Sequence, residues 1–198
     1  DFADRFKPDL IVVGSHGRSA IGRFFLGSVS QRLLLDAPCS VRIARGPEPV
    51  SGKPLRIMVG IDGSANADAA VAELASRSWP PGTEIRLVNA NSPIPVARTE
   101  EPLDKLAKWI DKENRRMRAK VEAAIHCLEG RGLKVSAFAG ALDPVKLLLR
   151  EAERWKADCI FLGARGAGTI ERLVIGSVSA AVAARAHCSV EVVRTASW

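Results

Sequence analysis

Two segments of this chain carry one pattern at a constant offset of 149 residues. Asp9-Leu10-Ile11-Val12-Val13-Gly14-Ser15-His16-Gly17 leads to Gly27-Ser28-Val29-Ser30 and then to Cys39-Ser40-Val41-Arg42-Ile43-Ala44-Arg45. Asp158-Cys159-Ile160-Phe161-Leu162-Gly163-Ala164-Arg165-Gly166 leads to Gly176-Ser177-Val178-Ser179 and then to Cys188-Ser189-Val190-Glu191-Val192-Val193-Arg194. The segments align without a gap, so they are two copies of one domain, and the chain must build the same strand, loop, helix and strand twice.

The copies are not equally complete. From about Leu55 onward the second copy carries a long stretch ahead of its Gly163 loop, whereas only a dozen or so residues precede Gly14. We expect residues 1–46 to be the C-terminal part of a first domain, 47–54 a linker rich in Pro and Gly, and 55–198 a complete second domain. A piece of about 40 residues without metal or disulfide lies at the lower limit of independent folding. The first segment is therefore expected to need upstream chain or a neighbouring subunit, and Asp1 reads as a truncation point, a cleavage site or the start of an incomplete sequence.

Composition narrows the class. Apolar residues make up 47% and charged residues 26%, ordinary for a globular chain, and no apolar run approaches the ~18 residues of a membrane span. The four cysteines include no Cys-x-x-Cys pair, which favours buried thiols in a reducing cytoplasm over disulfides or zinc. The net charge of +7 raises nucleic acid as a partner. Its densest stretch, Lys105 to Lys120, is interleaved with Asp111 and Glu113, while Leu103, Leu106, Trp109, Ile110, Met117, Val121 and Ile125 recur at helical spacing. That is an amphipathic helix with a solvated charged face, and no stacking aromatics or DNA-reading motif accompany it. Nucleic acid is disfavoured.

The second copy alternates strand and helix. Strands are predicted at Leu55–Ile61, Glu84–Ala90, Leu133–Ala139, Asp158–Gly163 and Ser189–Arg194, with helices at Ala65–Arg77, from about Leu103 to Glu129, after the Asp143-Pro144 cap, and at Ser177–Ala186. The fold class is α/β, a doubly wound five-stranded parallel sheet of the flavodoxin or Rossmann type, joined by the strand-helix-strand end of another copy. Ligands of such sheets sit beyond the carboxyl ends of the strands, where the winding reverses. If the first and fourth strands are neighbours, Asp62 and Gly163 meet in one crevice.

The Gly163 loop has a chemistry of its own. Gly163 permits a tight exit from the strand, and Gly166 and Gly168 let backbone approach a ligand. Gly176-Ser177 opens a helix whose free N–H groups and partial positive charge suit an anion, and Ser177 and Ser179 offer hydroxyls to phosphate oxygens. Each such interaction is worth about 0.3–2 kcal/mol. The alternative is that the glycines serve only the strand-to-helix turn; the repetition of their spacing favours phosphate.

Gly-x-x-Gly, nine residues, then Gly-Ser resembles the ATP-binding signature of the universal stress protein family. It is met by Gly14, Gly17, Gly27 and Ser28, and again by Gly163, Gly166, Gly176 and Ser177. Val59-Gly60-Ile61-Asp62 resembles the family's first strand with its acidic residue, and the Cys-Ser-Val strands resemble its last. The resemblance implies that Asp62 lies near ribose and adenine, and that Ala90 lines the adenine pocket through its backbone. It also implies that Gly163 to Gly168 wrap ribose and phosphates and that Gly176, Ser177, Val178 and Ser179 hold the phosphate tail. The family often has His-Val where this chain has Asn89-Ala90. Arg165 is either a cation for the phosphates or a solvent-facing arginine, and Asp62 either a ligand contact or a turn-forming acid.

The implied cofactor is ATP, with AMP or ADP as alternatives and Mg²⁺ as a companion ion, and the implied role is a regulatory module in stress adaptation. A slow ATP hydrolase and a nucleotide-independent scaffold are the competing readings. No Walker-type Gly-x-x-x-x-Gly-Lys occurs and no histidine accompanies Ser177 as a base, which weighs against catalysis. The family also pairs its last strands about a twofold axis, so Val41 to Ala44 and Val190 to Val193 are expected edges for a homo-oligomer or an internal pseudo-dimer.

Overall fold

The computed structural model describes residues 5–15, 26–46, 52–90, 103–166 and 175–194. Its seven strands are β1 (Leu10–Gly14), β2 (Ser40–Ala44), β3 (Arg56–Ile61), β4 (Glu84–Ala90), β5 (Lys134–Gly140), β6 (Cys159–Gly163) and β7 (Ser189–Val193). They form one sheet in the order β1-β2-β7-β6-β3-β4-β5. Neighbours run parallel everywhere except between β2 and β7, which are antiparallel with Val41 opposite Val192, Arg42 opposite Glu191 and Ile43 opposite Val190. The parallel half, β5-β4-β3-β6-β7, is doubly wound, and β1-β2 extends it through the antiparallel seam. Most of the 47–54 linker lies outside the described residues.

Five helices cover the sheet within the described residues: α1 (Ser28–Asp36), α2 (Ala65–Ser76), α3 (Leu103–Glu129), α4 (Pro144–Trp155) and α5 (Ser177–Arg185). Strand alternation divides the core. On β3, Ile57, Val59 and Ile61 face α2 and α3, and Met58 faces the opposite layer. On β6, Cys159 and Phe161 take the first side, and Ile160 and Leu162 the second. That second layer also holds Leu34 and Ala37 with Val41 and Ile43, so the first repeat shares a core with the second. Both faces are buried, which is why the central strands read as continuous apolar runs rather than as an alternation.

Helix caps follow the local sequence. Ser64 Oγ accepts from Ala67 N at 3.1 Å to start α2, and Asp143 Oδ1 accepts from Lys146 N at 3.0 Å with Pro144 in the first turn of α4. In α3 the fully buried residues of the described apolar stripe lie towards the C-terminal half. Ala124 and Leu128 are buried and Met117, Val121 and Ile125 pack on the core, but Trp109, expected in the inward stripe, is 53% exposed. Among the thiols, Cys39, Cys159 and Cys188 are buried as expected, whereas Cys127 is exposed on α3. Burial pushes the Cys159 and Cys188 thiols up to about 12, which makes them inert packing groups.

One charged group lies deep in the α4 face. Glu151, 3% exposed, accepts from Arg86 NH1 of β4 at 2.7 Å and from Arg154 Nε at 2.9 Å, and Arg86 lies 4.5 Å from the Trp155 ring centroid. Burial opposes its charge, but the hydrogen bonds from Arg154 and Arg86 outweigh that and hold the Glu151 carboxyl below its ordinary range. A depressed folded-state value stabilises the fold above the ordinary carboxylate range, and that stability is lost as pH falls through the depressed value. Glu151→Gln should therefore lower stability by about 1–3 kcal/mol near neutral pH. Its thermal melts should also depend less on pH in acid than those of the native chain; parallel curves offset by a constant amount would contradict this.

Candidate functional site

Strands β3 and β6 are neighbours, with Ile57 opposite Cys159 and Val59 opposite Phe161, so their carboxyl ends open side by side at the reversal of winding. A cleft of about 300 Å³ lies there. Asp62, Ala90, Gly163, Arg165, Gly166, Gly176, Ser177, Val178 and Ser179 all line it. Of the second-repeat candidates, only Gly168 is missing from this set, because it lies outside the described residues.

The loops are fixed by contacts that their sequence requires. A Cβ on Gly163 would stand 2.5 Å from the carbonyl carbon of Asn66, so β6 can meet the first turn of α2 only with glycine there. A Cβ on Gly166 would come within 2.7 Å of Asp62 Oδ2. The backbone of the Gly163 loop therefore lies directly against the Asp62 carboxylate. Asp62 Oδ1 accepts from Ser64 N at 3.0 Å, and the Ser64 hydroxyl donates to Arg165 O at 3.4 Å, tying the two loops together. Asp62 is thus a turn-forming acid that leaves an exposed carboxylate at the cleft.

At the opposite wall, Gly176 N donates to Ala164 O at 2.7 Å and α5 begins. Gly176 caps α5 with extended backbone and no side-chain hydrogen bond, so the first N–H groups of the helix are uncapped by the protein's side chains and open on the cleft. The two serines differ. Ser177 is exposed, while the buried Ser179 hydroxyl donates to Gly163 O at 2.7 Å. The Ser179 hydroxyl anchors the loop, its proton being given to a backbone carbonyl.

No motif in the sequence marks the floor of the cleft. Gly60, Ile61, Ala67, Val88, Pro144, Leu148 and Leu162 complete the lining. Pro144 and Leu148 were legible in principle, since the helix after any parallel strand starts at the sheet's carboxyl edge. Asn89 points away from this wall and donates from Nδ2 to Ile61 O at 2.7 Å, joining the ends of β3 and β4 beside Ala90.

The first repeat reproduces the same wiring. Gly27 N donates to Ser15 O at 3.0 Å, the Ser30 hydroxyl to Gly14 O at 2.7 Å, and Gly27 caps α1 without a side-chain bond. Gly14 is nevertheless exposed where Gly163 is buried, and Gly17 lies outside the described residues. Ser28 is exposed at the start of α1.

The model of the "Universal stress protein family" matches residues 1–45 and 55–194. The chain belongs to the universal stress protein family. A universal stress protein of Mycobacterium tuberculosis (strain ATCC 25618 / H37Rv) is 28% identical over 203 residues, covering 95% of this chain and 62% of its own length. One from Mycolicibacterium smegmatis is 26% identical over 199 residues, covering 93% and 61%. The chain thus spans about three-fifths of these relatives. Solved structures share the fold: a universal stress protein from Archaeoglobus fulgidus has TM-score 0.61 at 24% identity over 95% of this chain and 61% of its own. The protein UspA from Lactobacillus plantarum has TM-score 0.55 at 23% identity over 72% of this chain and 99% of its own.

The geometry separates the glycines by role. Gly163→Ala drives a methyl into backbone and should destabilise the universal stress protein fold by about 1–3 kcal/mol. At Gly176 a Cβ would sit 3.4 Å from its nearest neighbours, so Gly176→Ala should cost less, below about 1 kcal/mol. Urea unfolding of both variants measures this, and the reverse order would contradict the assigned contacts.

Proposed function

We propose that this chain binds an adenine nucleotide, ATP with Mg²⁺ foremost and AMP or ADP as alternatives, in the cleft between β3 and β6, and that it acts as a cytoplasmic regulatory module in stress adaptation. In this reading residues 1–46 are the C-terminal part of a first domain, 47–54 a linker, and 55–198 a complete second, nucleotide-binding domain. The observation that carries it is the convergence of Asp62, the Gly163 loop and an uncapped helix amino terminus on one cleft.

The parts suit the parts of a nucleotide. An apolar floor of Ile61, Val88 and Leu162 with the Ala90 backbone takes a flat base, and the cleft volume of about 300 Å³ falls at the lower end of ligand pockets. The exposed Asp62 carboxylate accepts from ribose hydroxyls. Phosphates lie against the α5 amino terminus, held by N–H groups, by Ser177 and by the Arg165 cation at the rim. Mg²⁺ enters with the phosphates.

A regulatory role is favoured over hydrolysis because the cleft offers Asp62 as its one carboxylate and no histidine among its described lining residues. Mass spectrometry of ligand released from the purified chain should find adenine nucleotide. ATP with Mg²⁺ at a hundredfold excess over its Kd should stabilise the fold by about 2.7 kcal/mol. Asp62→Ala should weaken binding about tenfold or more while leaving the fold intact. Steady phosphate release abolished by Asp62→Ala would favour the hydrolase, and a melting temperature indifferent to adenine nucleotides would favour the scaffold.

A further inference from the structure

The antiparallel seam between β2 and β7 joins repeat equivalents, and most of it is the same from either side. The Ser40 hydroxyl accepts from Arg194 N at 3.1 Å, and the Ser189 hydroxyl accepts from Arg45 N at 3.1 Å. Each arginine then reaches across to the other half's helix. Arg194 NH2 donates to Leu34 O at 2.8 Å at the end of α1, and Arg45 NH2 donates to Ala184 O at 3.2 Å at the end of α5. A contact built this way fits two identical edges as readily as two different ones.

One position breaks the equality. Residues 42 and 191 are themselves repeat equivalents and face each other at the centre of the register, but one is Arg and the other Glu. The Glu191 side chain is fully buried and that of Arg42 is 28% exposed. Arg42 Nε donates to Glu191 Oε2 at 2.8 Å, and Arg77 NH1, from the end of α2, donates to the same oxygen at 3.0 Å. The two guanidinium groups stand 5.8 Å and 5.4 Å from the centroid of the buried Phe161 ring. Arg77 is also engaged by Glu73 at 2.7 Å.

If two β7 edges paired in this register, Glu191 would face a second Glu191. The buried carboxylates would lose Arg42 and keep one arginine each, already shared with Glu73. If two β2 edges paired, two guanidinium groups would meet. We propose that Arg42 and Glu191 select the partner of the seam, directing the β7 edge to a β2 edge and away from a second copy of itself. A buried ion pair contributes little net stability against a packed apolar pair, but its like-charged alternatives are strongly disfavoured. The pair therefore chooses the strands more than it holds them.

The test uses the full chain, labelled with donor or acceptor dye at the exposed Cys127, the thiols of Cys39, Cys159 and Cys188 being buried. Donor and acceptor chains are unfolded together and refolded over a range of concentrations. Arg42→Val with Glu191→Val makes the seam self-complementary; it should melt close to the native chain, yet reach half-maximal energy transfer between chains at a concentration about tenfold lower or less. Arg42→Lys should behave as the native chain. Transfer equal to native at every concentration would overturn the proposal. Loss of a cooperative melt in the doubly apolar variant would also overturn it, since the pair would then be holding the strands rather than selecting them. Arg42→Glu reads the like-charge penalty inside one chain and should melt well below Arg42→Gln; equal melting temperatures would contradict the assignment.

Discussion

The approach of β6 to the first turn of α2 organises the carboxyl edge of the sheet. That approach is possible because residue 163 has no Cβ, which would otherwise stand 2.5 Å from the Asn66 carbonyl carbon. Once β6 is seated there, Ser64 can cap α2 and hydrogen bond to Arg165 O with one hydroxyl, and Gly166 comes to rest against Asp62. Ser179 secures the arrangement from the other side by donating to Gly163 O. The cleft is a consequence of this packing. It brings the Asp62 carboxylate, the backbone of the Gly163 loop and a helix start without a side-chain cap to one cavity.

Helix α2 links the cleft to the seam between repeats. Its amino terminus, capped by Ser64, forms part of the site's rear wall, and its last turn delivers Arg77 to Glu191. The central strand β6 carries Phe161 beneath the charges of the seam and Gly163 at the cleft, two residues further along. Adjacent strands and one helix therefore serve both a ligand-sized cavity and the joining of two repeats, which is how two copies of a motif come to share one sheet and one core.

Much of this was legible in the sequence because it rests on local rules. Apolar runs of strand length between turn signals marked every strand of the parallel half, and Asp143-Pro144 marked the start of α4 within a residue. The fixed offset between the glycine loops puts Ser30 and Ser179 at equivalent positions, and in the structure each hydroxyl donates to the carbonyl of the equivalent glycine, Gly14 or Gly163. What escaped depends on tertiary placement. Spacing cannot tell whether the Ser179 hydroxyl turns towards a ligand or back to a carbonyl. Periodicity cannot tell where the sheet ends beneath a long helix, so Trp109 was counted with the buried stripe and stands exposed. Leu148 and Val88 belong to the packed core, and their layer opens at the strand ends and becomes the floor of the cleft. The opposition of Arg42 and Glu191 needed the antiparallel register, which no segment specifies alone.

The central claim, that this cleft holds an adenine nucleotide through backbone amides, is tested most directly by titrating the isotope-labelled full chain with ATP and Mg²⁺ and following the assigned amide resonances. Saturable shifts are expected at Gly163, Gly166, Ser177 and Val178, with smaller ones at Asp62 and Ala90. A folded chain whose amides at these positions do not move, or whose saturable shifts fall on another surface, would contradict it.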